Sequence, residues 1–441
     1  MIGQVKIKDV KSQDSKSQDD ERQVPEIGAP TPANSAVTGG SPGDHRRRVH
    51  GGNIREAMER YGLSPGLGPG LGAVNIHDPG ILDFSANINP LGLSRRVEAA
   101  IIENLPGITR YPDPECVELR RAIAEHLDIS PANIIAGNGA VELVYLITKA
   151  ARPRLAVVPC PTFSEYALAV ESEGGAVKSV YLQPGRGFSI DVEEISSTLP
   201  GADILFICNP NNPTGNLWPR EALLYIAGEA ARTGTLVVVD EAFIDFIDDE
   251  KQGTVVGEVP RRKNLIVLRS MTKAFAMPGL RLGYAVCPSE MVQRLASLRD
   301  PWSVNSLAQV AGIEALRDRD YIMQTKELIR RERSFLYDGL ASLPGVEAYR
   351  PEANFILARL VGSTTASATT AAAFTTATST TTAAAPSAAD LAGGLGRRGI
   401  LIRDASSFDG LDETYFRVAV RTRPENERLL EALRDYLLTW M

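Results

Sequence analysis

The sequence predicts a layered α/β protein, with a large domain built on a mostly parallel sheet and a smaller α+β domain behind it. Three observations carry this expectation. Short apolar, β-branched runs recur: LAVVPCP (155–161), ILFICNP (204–210), LVVVDEA (236–242) and NLIVLRS (264–270). Near-continuous apolar runs of this length read as strands covered on both faces, as parallel strands are. Helical stretches intervene, among them 116–127, 220–232 and 289–300, and strand–helix alternation is the pattern of crossover-linked parallel strands. After about residue 310 the texture changes. A long charged helix (316–342) precedes the strand-like pieces FILARL (355–360), ILIRDA (400–405) and YFRVAV (415–420), and a helix closes the chain at 424–439.

Composition marks the limits of these domains. Residues 1–49 are rich in Lys, Gln, Ser, Asp, Pro and Gly with no apolar period, and read as a disordered extension. An N-terminal arm at 50–82, a large domain at 83–310 and a small domain at 311–441 follow. Within the small domain, residues 363–389 are almost only Ser, Thr and Ala, broken by Phe374 and Pro386. Such a stretch cannot bury a core and reads as a flexible surface insertion.

The 441 residues suffice for a large core, and 44% hydrophobic with 23% charged residues is the balance of a globular chain. A net charge of −7 offers no broad surface for nucleic acid. Cys116, Cys160, Cys208 and Cys287 are widely spaced with no CxxC pair, which argues against a metal site or a disulfide framework. No apolar run reaches the roughly 18 residues of a membrane span, and the N-terminus lacks the apolar core of a secretion signal. A cytoplasmic enzyme acting on a small molecule, without membrane or nucleic-acid partners, is the expectation.

In open α/β sheets functional groups gather at the carboxyl ends of strands. Four such ends carry unusual polar residues. IIAGNGAVEL (134–143) is a glycine turn feeding a helix, whose free N–H groups around Gly139 and Ala140 suit a phosphate, although such turns are common for structural reasons alone. CNPNNPTG (208–215) is a rigid polar loop whose prolines and glycine plain turn chemistry explains, while Asn212 is left over. VVVDEAFIDF (237–246) ends a strand at Asp240, either a helix cap or the partner of a buried cation. LRSMTKAFAMPGLRLGY (268–284) places Ser270, Lys273 and Arg281 after a strand. Any one of these has a bland reading.

Together they match the needs of pyridoxal 5'-phosphate. That cofactor takes a lysine whose amine pKa is lowered by its surroundings, a carboxylate for its ring nitrogen, a donor for its 3-oxygen, and N–H, hydroxyl and guanidinium groups for its phosphate.

From about residue 50 to 441 the chain resembles the fold-type-I, PLP-dependent transferases of the class I/II aminotransferase superfamily, and NNPTG, VDEA and SxTKxxxxPGLRLGY are similar to motifs of histidinol-phosphate aminotransferases. The resemblance implies that Lys273 holds the cofactor, Asp240 pairs with its ring nitrogen, Asn212 contacts its 3-oxygen and Phe163 stacks on its ring. Gly139, Ala140, Ser270 and Arg281 would hold the phosphate. Tyr111, in RYPDP, would reach the phosphate of a neighbouring subunit, because sites in this family lie at a homodimer interface.

A narrower resemblance is to the L-threonine-O-3-phosphate decarboxylases of cobalamin biosynthesis, through HGGN (50–53), DFSANINPLG (83–92), DEAFIDF (240–246) and PWSVN (301–305). It implies loss of CO2 from L-threonine O-3-phosphate, with Arg417 on the substrate carboxylate and His50, Gly51, Asn87 and Arg403 around the substrate phosphate. Asn212 would touch the substrate as well as the cofactor. Phe243 stands where aminotransferases carry Tyr, which favours this narrower family. The alternative is a histidinol-phosphate aminotransferase with the same cofactor and lysine.

Overall fold

The computed structural model describes residues 51–62, 80–362 and 386–440. Its centre is a seven-stranded sheet. In spatial order the strands are Ile134–Gly137, Gly283–Val286, Leu265–Ser270, Leu236–Asp240, Ile204–Cys208, Leu155–Cys160 and Ala176–Tyr181. Pairing is parallel except around Gly283–Val286, which is antiparallel to both its neighbours.

The apolar runs behave as their composition implies. On the Ile204–Cys208 strand, Ile204, Phe206 and Cys208 enter the apolar cluster on one face, while Leu205 and Ile207 enter the cluster on the other. Side chains alternate across a strand, so a sheet sandwiched between helices requires apolar residues at every position. Each fully buried Val, Leu or Ile there contributes about 1.5–3 kcal/mol. Because the strands run parallel, Cys160, Cys208, Asp240 and Ser270 all end at the same edge of the sheet. Cys208 pairs with Asp240 in register, and Asp240 with Leu268.

The C-terminal lobe is a four-stranded antiparallel sheet in the order Arg403–Asp404, Tyr415–Ala419, Phe355–Leu360, Val346–Ala348. The Arg319–Ala341 helix packs on it and against the closing helix Arg423–Trp440.

Residues 316–317 close a separate preceding helix, Ser306–Arg317, and the long helix expected over 316–342 is present as Arg319–Ala341. Asp318 lies between them with φ −88° and ψ 73°, and its side chain accepts a hydrogen bond from the Tyr321 N–H. The charged run RDRD looks like a solvated helix face, but an aspartate able to cap the next turn competes with the helical backbone and wins here. The first helix lies on Arg95–Asn104 and Val117–Leu127, the second on the small sheet.

ILIRDA also divides. Ile400–Leu401 pairs in parallel with Leu82–Asp83, whereas Arg403–Asp404 joins the four-stranded sheet. Phe84 donates to Leu401 O at 2.7 Å and accepts from Ala419 N at 2.8 Å. The chain at the expected boundary of residue 83 is therefore hydrogen-bonded to the C-terminal lobe, a pairing of strands too short to register as sequence patterns.

The extension 1–49 lies outside the described residues, as do 363–385 of the Ser/Thr/Ala segment. That segment ends in structure: Ser387 and Asp390 form a capping box on the helix Ala388–Gly396. Its last residues are helical rather than insertion, because a serine followed three residues later by a carboxylate satisfies the first turn. Among the described residues no helix is long and apolar enough to cross a membrane.

Candidate active site

A cavity of about 340 Å³ opens at the shared carboxyl edge of the large sheet and is closed by the C-terminal lobe. Three of the four strand ends read from the sequence deliver side chains directly into it, and the fourth delivers a helix N-terminus.

Lys273 follows the Leu265–Ser270 strand in a tight turn and is half-buried. Among the described residues its amine has no hydrogen-bond or ion-pair partner. Burial, then the neighbouring Arg417 and Arg281 guanidiniums, push it down to about 8. Such an amine is neutral and nucleophilic far more often than an exposed lysine.

Asp240 terminates its strand facing the cavity. Its Oδ2 accepts from the Tyr166 hydroxyl at 2.6 Å and its Oδ1 from the Ala242 N–H at 3.0 Å. Burial raises its carboxyl pKa, and these two donors oppose the rise. Tyr166 is the member of the site that sequence reasoning missed. Its signal was its place in PCPTFSEY, one helical turn after Phe163, which lines the same cavity.

In the NNPTG loop the asparagines divide their work. Asn209 accepts from Trp218 N at 2.7 Å, and Asn211 accepts from Thr162 Oγ1 at 2.8 Å, so both hold the loop. Asn212 alone faces the cavity, where its Oδ1 accepts a hydrogen bond from Arg417. Its amide NH2 has no partner among the described residues.

On the Ile134–Gly137 side, Gly139 adopts φ +83° and Ala140 opens a twelve-residue helix. A Cβ on Gly139 would lie 2.5 Å from Arg281 Nη2, so the glycine is what allows the guanidinium to approach the helix N-terminus. Ser270 lines the cavity nearby, 2.8 Å from Thr272 Oγ1. A guanidinium and free N–H groups converging on one spot make an anion site.

The C-terminal lobe supplies two further guanidiniums. Arg417, inside the Tyr415–Ala419 strand, is wholly buried; besides Asn212 it donates to Ser85 O at 2.8 Å. Arg403 donates to Ser407 Oγ at 2.7 Å and lies over the Phe408 ring. Burial pushes both guanidiniums down, and at Arg417 the nearby Arg403 adds to the effect. Of the side chains lining the cavity, Lys273, Arg281, Arg403 and Arg417 are cations against the single carboxylate Asp240. The site is built for anions.

Gly51 and Asn87 also reach the cavity wall. A Cβ on Gly51 would lie 2.0 Å from Ser85 O, so only glycine fits. Asn87 is buried with its Oδ1 unpartnered, a polar atom waiting for a ligand or water. His50 lies outside the described residues. Tyr111 is not in the cavity. It is 79% exposed and stacks on Trp302 with ring centroids 4.5 Å apart.

The residues present fit pyridoxal 5'-phosphate. They offer an amine of lowered pKa, a buried carboxylate at a strand end, an uncommitted amide and a glycine-lined anion cradle. Matches to known proteins agree. Residues 79–433 match the family model for aminotransferase class I and II, and the chain belongs to that family of PLP-dependent enzymes.

Within it, the chain is 37% identical over 393 residues to the threonine-phosphate decarboxylase of Salmonella typhimurium, covering 88% of this chain and 96% of that protein. It is also similar to the crystal structure of L-threonine-O-3-phosphate decarboxylase from Porphyromonas gingivalis. There the TM-score is 0.69 at 28% identity, over 81% of this chain and 99% of that one. The histidinol-phosphate aminotransferase of Sinorhizobium meliloti, solved in complex with pyridoxal-5'-phosphate, shares the fold at TM-score 0.68 and 23% identity, over 81% and 90% of the two chains.

Proposed function

We propose that this chain decarboxylates L-threonine O-3-phosphate to (R)-1-aminopropan-2-yl phosphate and CO2, for the aminopropanol arm of cobalamin. The observation that carries the reading is the pair of buried guanidiniums, Arg417 and Arg403, which are register partners on adjacent strands and line the same cavity as Lys273. A phosphorylated amino acid presents two anions, a carboxylate and a phosphate, and each finds its own cation. The likeness to threonine-phosphate decarboxylases supports the same substrate.

Bound pyridoxal phosphate supplies an electron sink for the pair released when the Cα–carboxylate bond breaks. Everything else is done by the chain. Arg417, rigid between Asn212 and Ser85, holds the carboxylate that leaves. Arg403, with Asn87 and Gly51, holds the substrate phosphate. Asp240, whose ionised form Tyr166 and the Ala242 N–H favour, would pair with the cofactor's ring nitrogen and stabilise positive charge there. Gly139, Ala140, Ser270 and Arg281 would hold the cofactor phosphate, while Asn212 and Phe163 would fix its ring. Lys273 would hold the cofactor, and its amine, pushed down to about 8, is poised to return a proton to Cα. Phe243 packs edge-on against Phe355, 4.9 Å between centroids, and brings no hydroxyl to the cavity.

The enzyme acts in the cytoplasm as a homodimer. Large apolar side chains stand exposed at Leu91, Leu93, Ile102, Leu105, Ile108 and Tyr111, and an apolar surface of this kind is what a second subunit would cover. Tyr111 is then placed to enter the partner's site.

The test is incubation of PLP-loaded protein with L-threonine O-3-phosphate and no keto acid, following CO2 and aminopropanol phosphate. Release over many turnovers is expected. No release, with amino transfer from histidinol phosphate to 2-oxoglutarate, would replace the decarboxylase reading by the aminotransferase one.

A further inference from the structure

The motif DFSANINPLG contributes Ser85 and Asn87 to the cavity, but its second asparagine, Asn89, points the other way and is 2% exposed. A buried asparagine demands an account of its hydrogen bonds. The Asn89 backbone N–H donates to Lys273 O at 3.1 Å. Its side-chain Nδ2 lies 2.7 Å from Ala274 O, 2.7 Å from Thr325 Oγ1 and 2.9 Å from the Tyr321 hydroxyl. Two amide hydrogens are shared among those three oxygens. Its Oδ1 accepts from the Leu91 N–H at 3.1 Å, which closes the turn and fixes which way the amide faces.

One residue thus grips two consecutive peptide units, Lys273–Ala274 and Ala274–Phe275. The lysine turn is otherwise short of regular support. Ala276, three residues on, adopts φ +52°, and its N–H shares the same Lys273 carbonyl at 3.2 Å. Two residues upstream of Asn89, the unpartnered Asn87 Oδ1 lines the cavity. Four residues upstream, Ser85 O receives Arg417. The stretch 85–89 therefore touches a cavity guanidinium, the cavity itself and the backbone of the lysine, in one rigid run.

We propose that Asn89 is a positioning residue that sets where the Lys273 amine stands in the cavity, and so at which atom Lys273 delivers its proton. Its bonds to Lys273 O and Ala274 O hold the two peptide units that follow the lysine Cα, and so orient the backbone from which the side chain reaches. The first half of this proposal concerns the lysine and cofactor alone. The second half, on proton delivery, rests on the decarboxylase reading.

The experiment compares wild type with Asn89→Asp, Asn89→Ala and Thr325→Val. Asn89→Asp keeps the shape but turns an acceptor toward Ala274 O. Thr325→Val removes one of the two helix-side partners and leaves the bonds to the lysine turn intact. The first readout is the absorbance of the lysine–cofactor linkage across pH in PLP-loaded protein without substrate, together with the rate of cofactor release. Both Asn89 variants should shift the titration midpoint by about half a unit or more and release cofactor roughly tenfold faster, as expected when the Ala274 carbonyl loses its side-chain donor while the backbone bond to Lys273 O remains. Thr325→Val should leave both unchanged. Equal effects from Thr325→Val would mean that Asn89 only staples helix to loop, and would overturn the proposal. So would an unshifted midpoint in both Asn89 variants, or failure of both to melt cooperatively.

The second readout is the number of CO2 molecules released before the enzyme needs fresh PLP. It should fall in the Asn89 variants, because a misplaced amine protonates the wrong carbon and spends the cofactor on amino transfer. If the wild type releases no CO2, the functional reading fails while the absorbance titration still judges Asn89.

Discussion

Replacing Tyr166 by phenylalanine isolates one hydroxyl at the centre of the site. The ring environment survives the change: Tyr166 stacks on Phe206 at 5.2 Å and meets Phe163 edge-on at 5.6 Å, and a phenyl ring keeps both contacts. What disappears is the 2.6 Å bond to Asp240 Oδ2, with both partners wholly buried. That length is in the range of an O–H donor on a carboxylate, and a hydrogen bond to a charged group contributes about 1.5–3 kcal/mol. At 1.36 kcal/mol per pKa unit, the Asp240 carboxyl should rise by about 1–2 units beyond the rise that burial already imposes.

The sign of the stability change follows from linkage. A carboxyl whose folded pKa exceeds its unfolded value binds its proton more tightly when folded, so it favours folding at low pH and loses that contribution as pH climbs through the folded value. In cofactor-free protein the gap in melting temperature between wild type and Tyr166→Phe should be small in acid, where Asp240 is neutral in both and the hydroxyl makes only a neutral hydrogen bond of about 0.5–1.5 kcal/mol. The gap should widen toward neutral pH, where only the wild type carries the ion at low cost. Thermal melts of the two proteins at matched pH from acid to neutral measure it, other groups cancelling in the difference. PLP binding gives a second measure, because its acid limb should move up by the same 1–2 units. A pH-independent gap together with an unmoved acid limb would refute the claim that Tyr166 keeps Asp240 ionised.

Arg269, 2% exposed, binds Glu241 at 2.8 Å and Asp245 at 3.3 Å, and those carboxylates hold its guanidinium well above the usual range. Arg269→Met should cost about 3–5 kcal/mol in urea unfolding, because it strands buried carboxylates. Arg403→Met should weaken L-threonine O-3-phosphate by about 2–5 kcal/mol while leaving unphosphorylated L-threonine, tested as a competitor, little changed; Arg417→Met should weaken both. Inhibition constants for the two ligands read the difference, and equal losses for the two ligands in Arg403→Met would remove Arg403 from the phosphate site.

Much of this protein is legible in local pattern. The apolar runs at 204–208 and 236–240 are strands because every residue along them must face a helix layer, and composition records that requirement directly. Asp240 and Lys273 stand out for the same reason, as polar groups at the ends of runs where burial is otherwise complete. The Asp318 break was hidden because a cap and a solvated helix face use the same residue types. The short pairing of Leu82–Asp83 with Ile400–Leu401 was hidden because two residues carry no period.

The sequence by itself determined the fold class, the cofactor chemistry and which strand ends would carry it, since each depends on residues close together in the chain. Only the tertiary structure decided the partnerships that tune those groups. Tyr166 meets Asp240 across 74 positions, Asn89 reaches the Ala274 carbonyl across 185, and Arg417 meets Asn212 across 205. Periodicity says which face a side chain takes, but strand order and the docking of one lobe on another say what it faces. Those are set by the packing of the whole core rather than by any segment of it.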